Sequence, residues 1–163
     1  MVAQNVVFGI LAAVMVLAGW KVVTTQNVVR AVLYLVVVLA GAAAQFILLS
    51  AEFIALVQVL VYIGAIVILF LFGTMLTRAP IGRDVELDND QKWLAVLVSL
   101  FLLGVLVAVL SDGFGKHHIR FTGVQRTADV ANSIFSPYLV PFEVVSVLLL
   151  AALVGAVALA RRD

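Results

Sequence analysis

The chain has 163 residues, 65% of them hydrophobic and 12% charged, with a formal net charge of +1 and no cysteine. Soluble domains carry about 45–50% apolar and about 25% charged residues, so this composition points to a membrane protein. The near-zero charge gives no sign of a nucleic-acid partner, and none is expected. The missing cysteine excludes a disulfide framework, thiolate-held iron–sulfur clusters and a cysteine nucleophile.

The first apolar run predicts a retained span over 2–20 and not a secretory signal. No Lys or Arg precedes it, Lys21 follows it, and no small-residue cleavage site ends it. Further spans are predicted at 31–49, 53–75, 93–110 and 140–160. Each is near the roughly 20 residues that cross a hydrocarbon core of about 30 Å. Chains crossing lipid satisfy their backbone internally, as helices or as closed barrels. These runs lack the alternation of a barrel strand and are about twice too long for one. The expected fold class is therefore an all-α integral membrane protein, one membrane domain over 1–163 with five transmembrane helices.

The connections differ in kind. Ser50-Ala51-Glu52 alone separates spans two and three, which predicts a tight antiparallel helical hairpin. GRDVELDND, at 82–90, reads as a solvated connector. The stretch 111–139 is long for a connection; it carries Gly113, Gly115, His117, His118 and Gly123 and predicts a short helix near 129–135. No internal repeat relates the spans, which excludes the inverted-repeat plan of many transporters. Lys21, Arg30, Arg78, Arg83, Lys92, Arg161 and Arg162 fall on one side, against Lys116, Arg120 and Arg126 on the other. The positive-inside rule then puts the C-terminus in the cytoplasm and the N-terminus outside. Trp20 with Lys21, and Trp93 with Lys92, read as interface anchors.

Several polar and small residues interrupt the apolar spans. Glu52 opens span three, with Ser50 as its N-cap and an acid suited to the helix dipole, which is the first reading; compatible with it, Glu52 is a candidate for a proton or water path. Gln58 and Tyr62 are four apart and so predicted to share one face, pointing into protein. They serve there either as interhelical hydrogen bonds or as a hydrated, movable element. Gly64 and Ala65 follow, a small patch that admits a close neighbour and a favoured place for a kink or π-bulge. One extra residue in a turn would rotate everything beyond it by about 100°. Glu143 follows Pro141 at the start of span five, where a first-turn proline and acid both favour the helix. Ala151 with Gly155, and Ala152 with Ala156, make a small-residue packing face. Span four is nearly all Leu and Val and is expected to face lipid. His117-His118 lacks a third ligand, and no metal is expected. No HExxH, GxSxG, Walker or dinucleotide motif is present, and no catalytic residue is expected in this chain.

Span three, SAEFIALVQVLVYIGAIVILFLFGTML, resembles the third helix of subunit J of the bacterial proton-translocating NADH:quinone oxidoreductase, respiratory complex I, whose mitochondrial counterpart is NADH dehydrogenase subunit six. NVVRAVLYLVVVLAGAAAQFILL resembles the family's second helix and IFSPYLVPFEVVSVLLLAALVGAVALA its fifth. The third loop and the residues from Ser111 to Asn132 carry little of the resemblance. Three positions depart from the family pattern. Asn27-Val28 and Arg30 stand where Asn-Pro and a later His are common, and Gln58 stands where some members have a carboxylate, leaving Glu52 to supply the charge.

The resemblance implies a non-redox membrane-arm subunit in a bacterial inner membrane. It implies the small subunit K, the quinone-binding membrane subunit and antiporter-like subunits as partners, with quinone, NADH, FMN and iron–sulfur clusters held by other subunits. It further implies a third helix that switches between π-bulged and regular form around Tyr62, Gly64 and Ala65, with Glu52, Gln58 and Tyr62 as proton-path candidates. Two alternatives stand beside this reading: a purely structural assembly subunit of the same complex, and a free-standing transporter, which the lack of a midplane ion site disfavours. The electron donor would be set by soluble subunits.

Overall fold

A computed structural model describes residues 2–77, 91–115 and 126–161. All regular structure among them is helical. The elements are α1 (Val2–Thr24), α2 (Val28–Leu48), α3 (Glu52–Val57), a π-helical segment (Gln58–Val67), α4 (Ile68–Leu76), α5 (Lys92–Phe114), α6 (Thr127–Phe135) and α7 (Leu139–Ala160). α3, the π segment and α4 form one continuous span three. Among the described residues five stretches are long and apolar enough to cross a membrane, and the chain is a multi-pass membrane protein. The connector 82–90, the residues Arg78, Arg83, Lys116, His117, His118, Arg120, Gly123 and Arg162, and the side chain of Lys92 lie outside the described residues.

The helices outrun their apolar cores because polar residues at their ends bond locally. α1 continues to Thr24, whose Oγ1 donates to the Trp20 carbonyl at 2.8 Å. α2 begins at Val28 because Asn27 caps it: Asn27 Oδ1 accepts from the Arg30 backbone N–H at 3.1 Å. The short helix expected near 129–135 is α6; the Arg126 backbone N–H donates to Asp129 Oδ2 at 3.3 Å and fixes its start.

The turn between spans two and three corrects one expectation. Ser50 does not cap span three. The residue before the helix is Ala51, and no side-chain bond caps it. Ser50 instead has φ 59°, the left-handed conformation that closes α2. The Ser50 N–H donates to Ile47 O and the Ala51 N–H to Phe46 O, both at 2.9 Å. This is the Schellman arrangement, in which one left-handed residue satisfies the last carbonyls of a helix. The turn is tight enough to lay span three antiparallel against α2, as expected.

α2 is the middle of a row. α1 packs on one flank and the whole of span three on the other, while α1 and span three make no contact. Small residues bring the helices together: Ala18, Ala43, Ala55 and Gly41 are buried. A Cβ built on Gly41 would overlap Met15 Cγ and lie 2.9 Å from Met15 Sδ, so the α1–α2 approach depends on that missing methyl.

α5 packs on no other described helix, in keeping with a lipid-facing span four. α7 is just as open. Among the described elements it touches only α6, where Phe135 and Phe142 meet edge to face with ring centroids 5.2 Å apart. Hydroxyls on these two spans are satisfied at home: Ser99 donates to Ala95 O at 2.7 Å and Ser146 to Phe142 O at 2.9 Å. The start of α7 corrects a second expectation. The helix begins at Leu139, two residues before Pro141, so Glu143 lies beyond the first turn and does not serve as a helix-dipole acid there.

Candidate functional site

The middle of span three departs from α geometry. The ten residues Gln58–Val67 are bonded as a π-helix, with a wider turn than the 3.6 residues of an α-helix. Val57 (φ −59°, ψ −42°) and Ile68 (φ −64°, ψ −45°) flank it in ordinary helical conformation, so the span widens without breaking. π segments are rare and concentrate at functional sites.

The widened turn decides which residues face α2. Gln58 is 8% exposed and Val67 4%. Ile63, between them, and Leu71 and Thr74 beyond, are half-buried. The inward stripe thus steps by five and four residues through the π segment, then by four and three through α4. An α-helix continued from Gln58 would carry a different stripe, namely Tyr62, Ala65, Leu69, Phe72 and Leu76. Every one of those is exposed in the structure. Over the nine positions from Gln58 to Val67 the two geometries differ by about 180°, given roughly 100° per α-helical residue. The roughly 100° anticipated for one inserted residue understates a segment of this length.

The site residues read from the sequence are placed as follows. Tyr62, Gly64 and Ala65 all lie within the π segment. Gln58 opens the segment and is buried, whereas Tyr62 is 46% exposed. The expected common face of Gln58 and Tyr62 is therefore split, because side chains four apart do not stack on a π-helix. Gly64 is exposed; a Cβ there would meet only Val59 O, at 3.4 Å, so no neighbouring helix among the described residues uses its small size. Glu52 is exposed in the first turn of α3. Ala151, Ala152, Gly155 and Ala156 are exposed on α7, with open space beyond Gly155. One polar residue was not singled out from the sequence: Gln45 of α2, whose Oε1 is buried without a hydrogen-bond partner. Its polarity in an apolar span was the available signal.

These features define a class: an all-α, multi-pass membrane subunit with a composite third span. The chain belongs to the NADH-ubiquinone/plastoquinone oxidoreductase chain 6 family, whose model matches residues 18–159. Among its relatives are F(420)H(2) dehydrogenase subunit J of Methanosarcina mazei, 40% identical over 98% of this chain and 92% of that protein, and the NAD(P)H-quinone oxidoreductase chain 6 proteins of Synechocystis and Nostoc. Those two are 38% and 35% identical, each over 98% of this chain and over 82% and 80% of their own lengths. The resemblance to subunit J carried by span three is thus matched over nearly the whole chain. The family is that of a membrane subunit of complex I, the NADH dehydrogenase of quinone-linked respiratory chains.

Proposed function

We propose that this chain couples quinone reduction to proton translocation in such a complex, through a change of residues 58–67 between π and α geometry. The observation that carries the reading is the composite span: two alternative stripes, both mostly apolar, lie on one helix, and only the wider turn selects the one now buried. Conversion to α would turn α4 by about half a revolution, exchanging Val67, Leu71 and Thr74 for Leu69, Phe72 and Leu76 against α2. Both sets suit an apolar environment, so the change carries little hydrophobic penalty. Gln58 stays at the fixed end, while Tyr62 swings inward beside it in the α form. A tyrosine hydroxyl and an amide brought together can hold water and pass a proton. Glu52 lies one to two turns away, at the outer end.

The remaining parts of the reading follow from family membership and charge. The N-terminus faces outside and the C-terminus the cytoplasm of a bacterial plasma membrane. The small subunit K, the quinone-binding membrane subunit and antiporter-like subunits are its neighbours, and quinone, NADH, FMN and iron–sulfur clusters belong to other subunits. Relatives named for F(420)H(2) and for NAD(P)H are similarly close, which favours a donor set elsewhere in the complex. A purely structural role in assembly is the second reading, favoured by the openness of α5 and α7 within the chain.

Deleting Leu60 and Val61 together tests the switch. The deletion removes the roughly two residues by which a π segment of this length exceeds an α-helix, and fixes α geometry with the present inward face of α4 retained. The expected result is a complex of normal abundance that still reduces quinone but moves fewer protons per electron. An unchanged proton-to-electron ratio refutes the switch. Lost abundance with normal turnover per assembled complex supports the assembly role instead.

A further inference from the structure

Glu143 is out of place in a lipid-facing helix. α7 begins at Leu139, so Glu143 sits about 6 Å into the span at 1.5 Å per residue. It is exposed, and among the described residues it has no hydrogen-bond or ion-pair partner. Glu52 and Asp112 differ: each lies within a turn of its span's end, within reach of the interface. An intramembrane carboxylate left against lipid is costly, and such residues pair with other groups. No other described span of this chain covers α7.

The helix extends the argument along one face. Val147, Leu150 and Val154 follow Glu143 at helical spacing, all exposed. The small residues Ala152 and Ala156 lie on the opposite side. The carboxylate thus heads an open apolar stripe of a subunit whose family works inside a larger membrane enzyme.

We propose that the Glu143–Val154 face of α7 docks on a helix of a neighbouring membrane subunit that sets a Lys, Arg or His opposite Glu143. The carboxylate fixes the register of that contact and the apolar stripe fills it. A cation opposite a carboxylate in a low-dielectric setting is worth more than the same pair in water, and each charge resolves the burial problem of the other. This rests on the chain's residence in a multisubunit complex, which co-isolation of other subunits with the unaltered chain checks separately.

The test uses the whole complex in its own membranes. A benzophenone side chain replaces Val147, the membranes are irradiated, and the complex is isolated through a tag on this chain. The expected adduct joins position 147 to a membrane subunit of the complex, within one helical turn of a Lys, Arg or His. In parallel, Glu143→Leu should lower severalfold the amount of this chain retained after a detergent challenge, Glu143→Lys should lower it further, and exchanging the two charges between subunits should restore it. Adducts to lipid alone, to a second copy of this chain or to a segment without a basic residue overturn the proposal. So does Glu143→Leu retention equal to the unaltered complex.

Discussion

Two single residues set the packing of the first three spans, and each makes a measurable prediction. Ser50 holds a left-handed conformation that costs a side-chain-bearing residue about 1–2 kcal/mol and glycine almost nothing. Ser50→Gly should therefore raise the stability of the hairpin by about 1 kcal/mol, seen as slower hydrogen exchange at 46–56 in nanodiscs. Ser50→Val should speed it. Gly41 sits where a methyl would overlap Met15. Gly41→Ala should cost about 1–3 kcal/mol through overpacking, and Met15→Ala in the same chain should recover most of it, since the two side chains contend for one space. Additive losses in thermal melts of the single and double variants would show that the close approach is not what the substitution disturbs.

At the scale of the element, the sequence is plain about spans and silent about their period. Twenty-residue apolar runs announce helices whatever their internal geometry, and Ser50-Ala51-Glu52 leaves room only for a hairpin. The ends were less legible because Thr24, Asn27 and Asp129 extend or start helices by local bonds that hydropathy does not register. The π segment was anticipated only as a small-residue locus at Tyr62, Gly64 and Ala65. Its true length was hidden because span three is apolar on nearly every side, so no stripe stands out at either period. One clue was present. Gln58 and Thr74 are sixteen residues apart and lie about 160° from each other on a regular α-helix, an awkward placement for two polar side chains of one apolar span. The wider turn brings both inward. If the segment is a switch with a proton path beside it, Gln58→Leu and Tyr62→Phe should leave the abundance of the complex unchanged and lower proton translocation per electron. Altered abundance with normal turnover per complex would assign both residues to packing.

The whole molecule divides unevenly. α2 buries against α1 on one side and span three on the other and α6 reaches α3, while α5 and α7 meet none of the first three spans. In water such open apolar helices would collapse onto the rest. In lipid they need not, because a helix satisfies its own backbone and gains nothing hydrophobic by meeting another. The first three spans therefore contain what holds the candidate switch in place: the Schellman turn, the Gly41–Met15 approach and the buried Gln58. A chain ending at Thr77 should keep slow hydrogen exchange through α2 and α3 in nanodiscs, within about tenfold of the full-length chain (about 1.4 kcal/mol). The same truncation should release the subunit from its complex, because the exposed faces of α5 and α7 go with the deleted part. A hairpin that loses its protection on truncation would mean that the later spans brace the first three, and that the division seen in the structure is not one of stability.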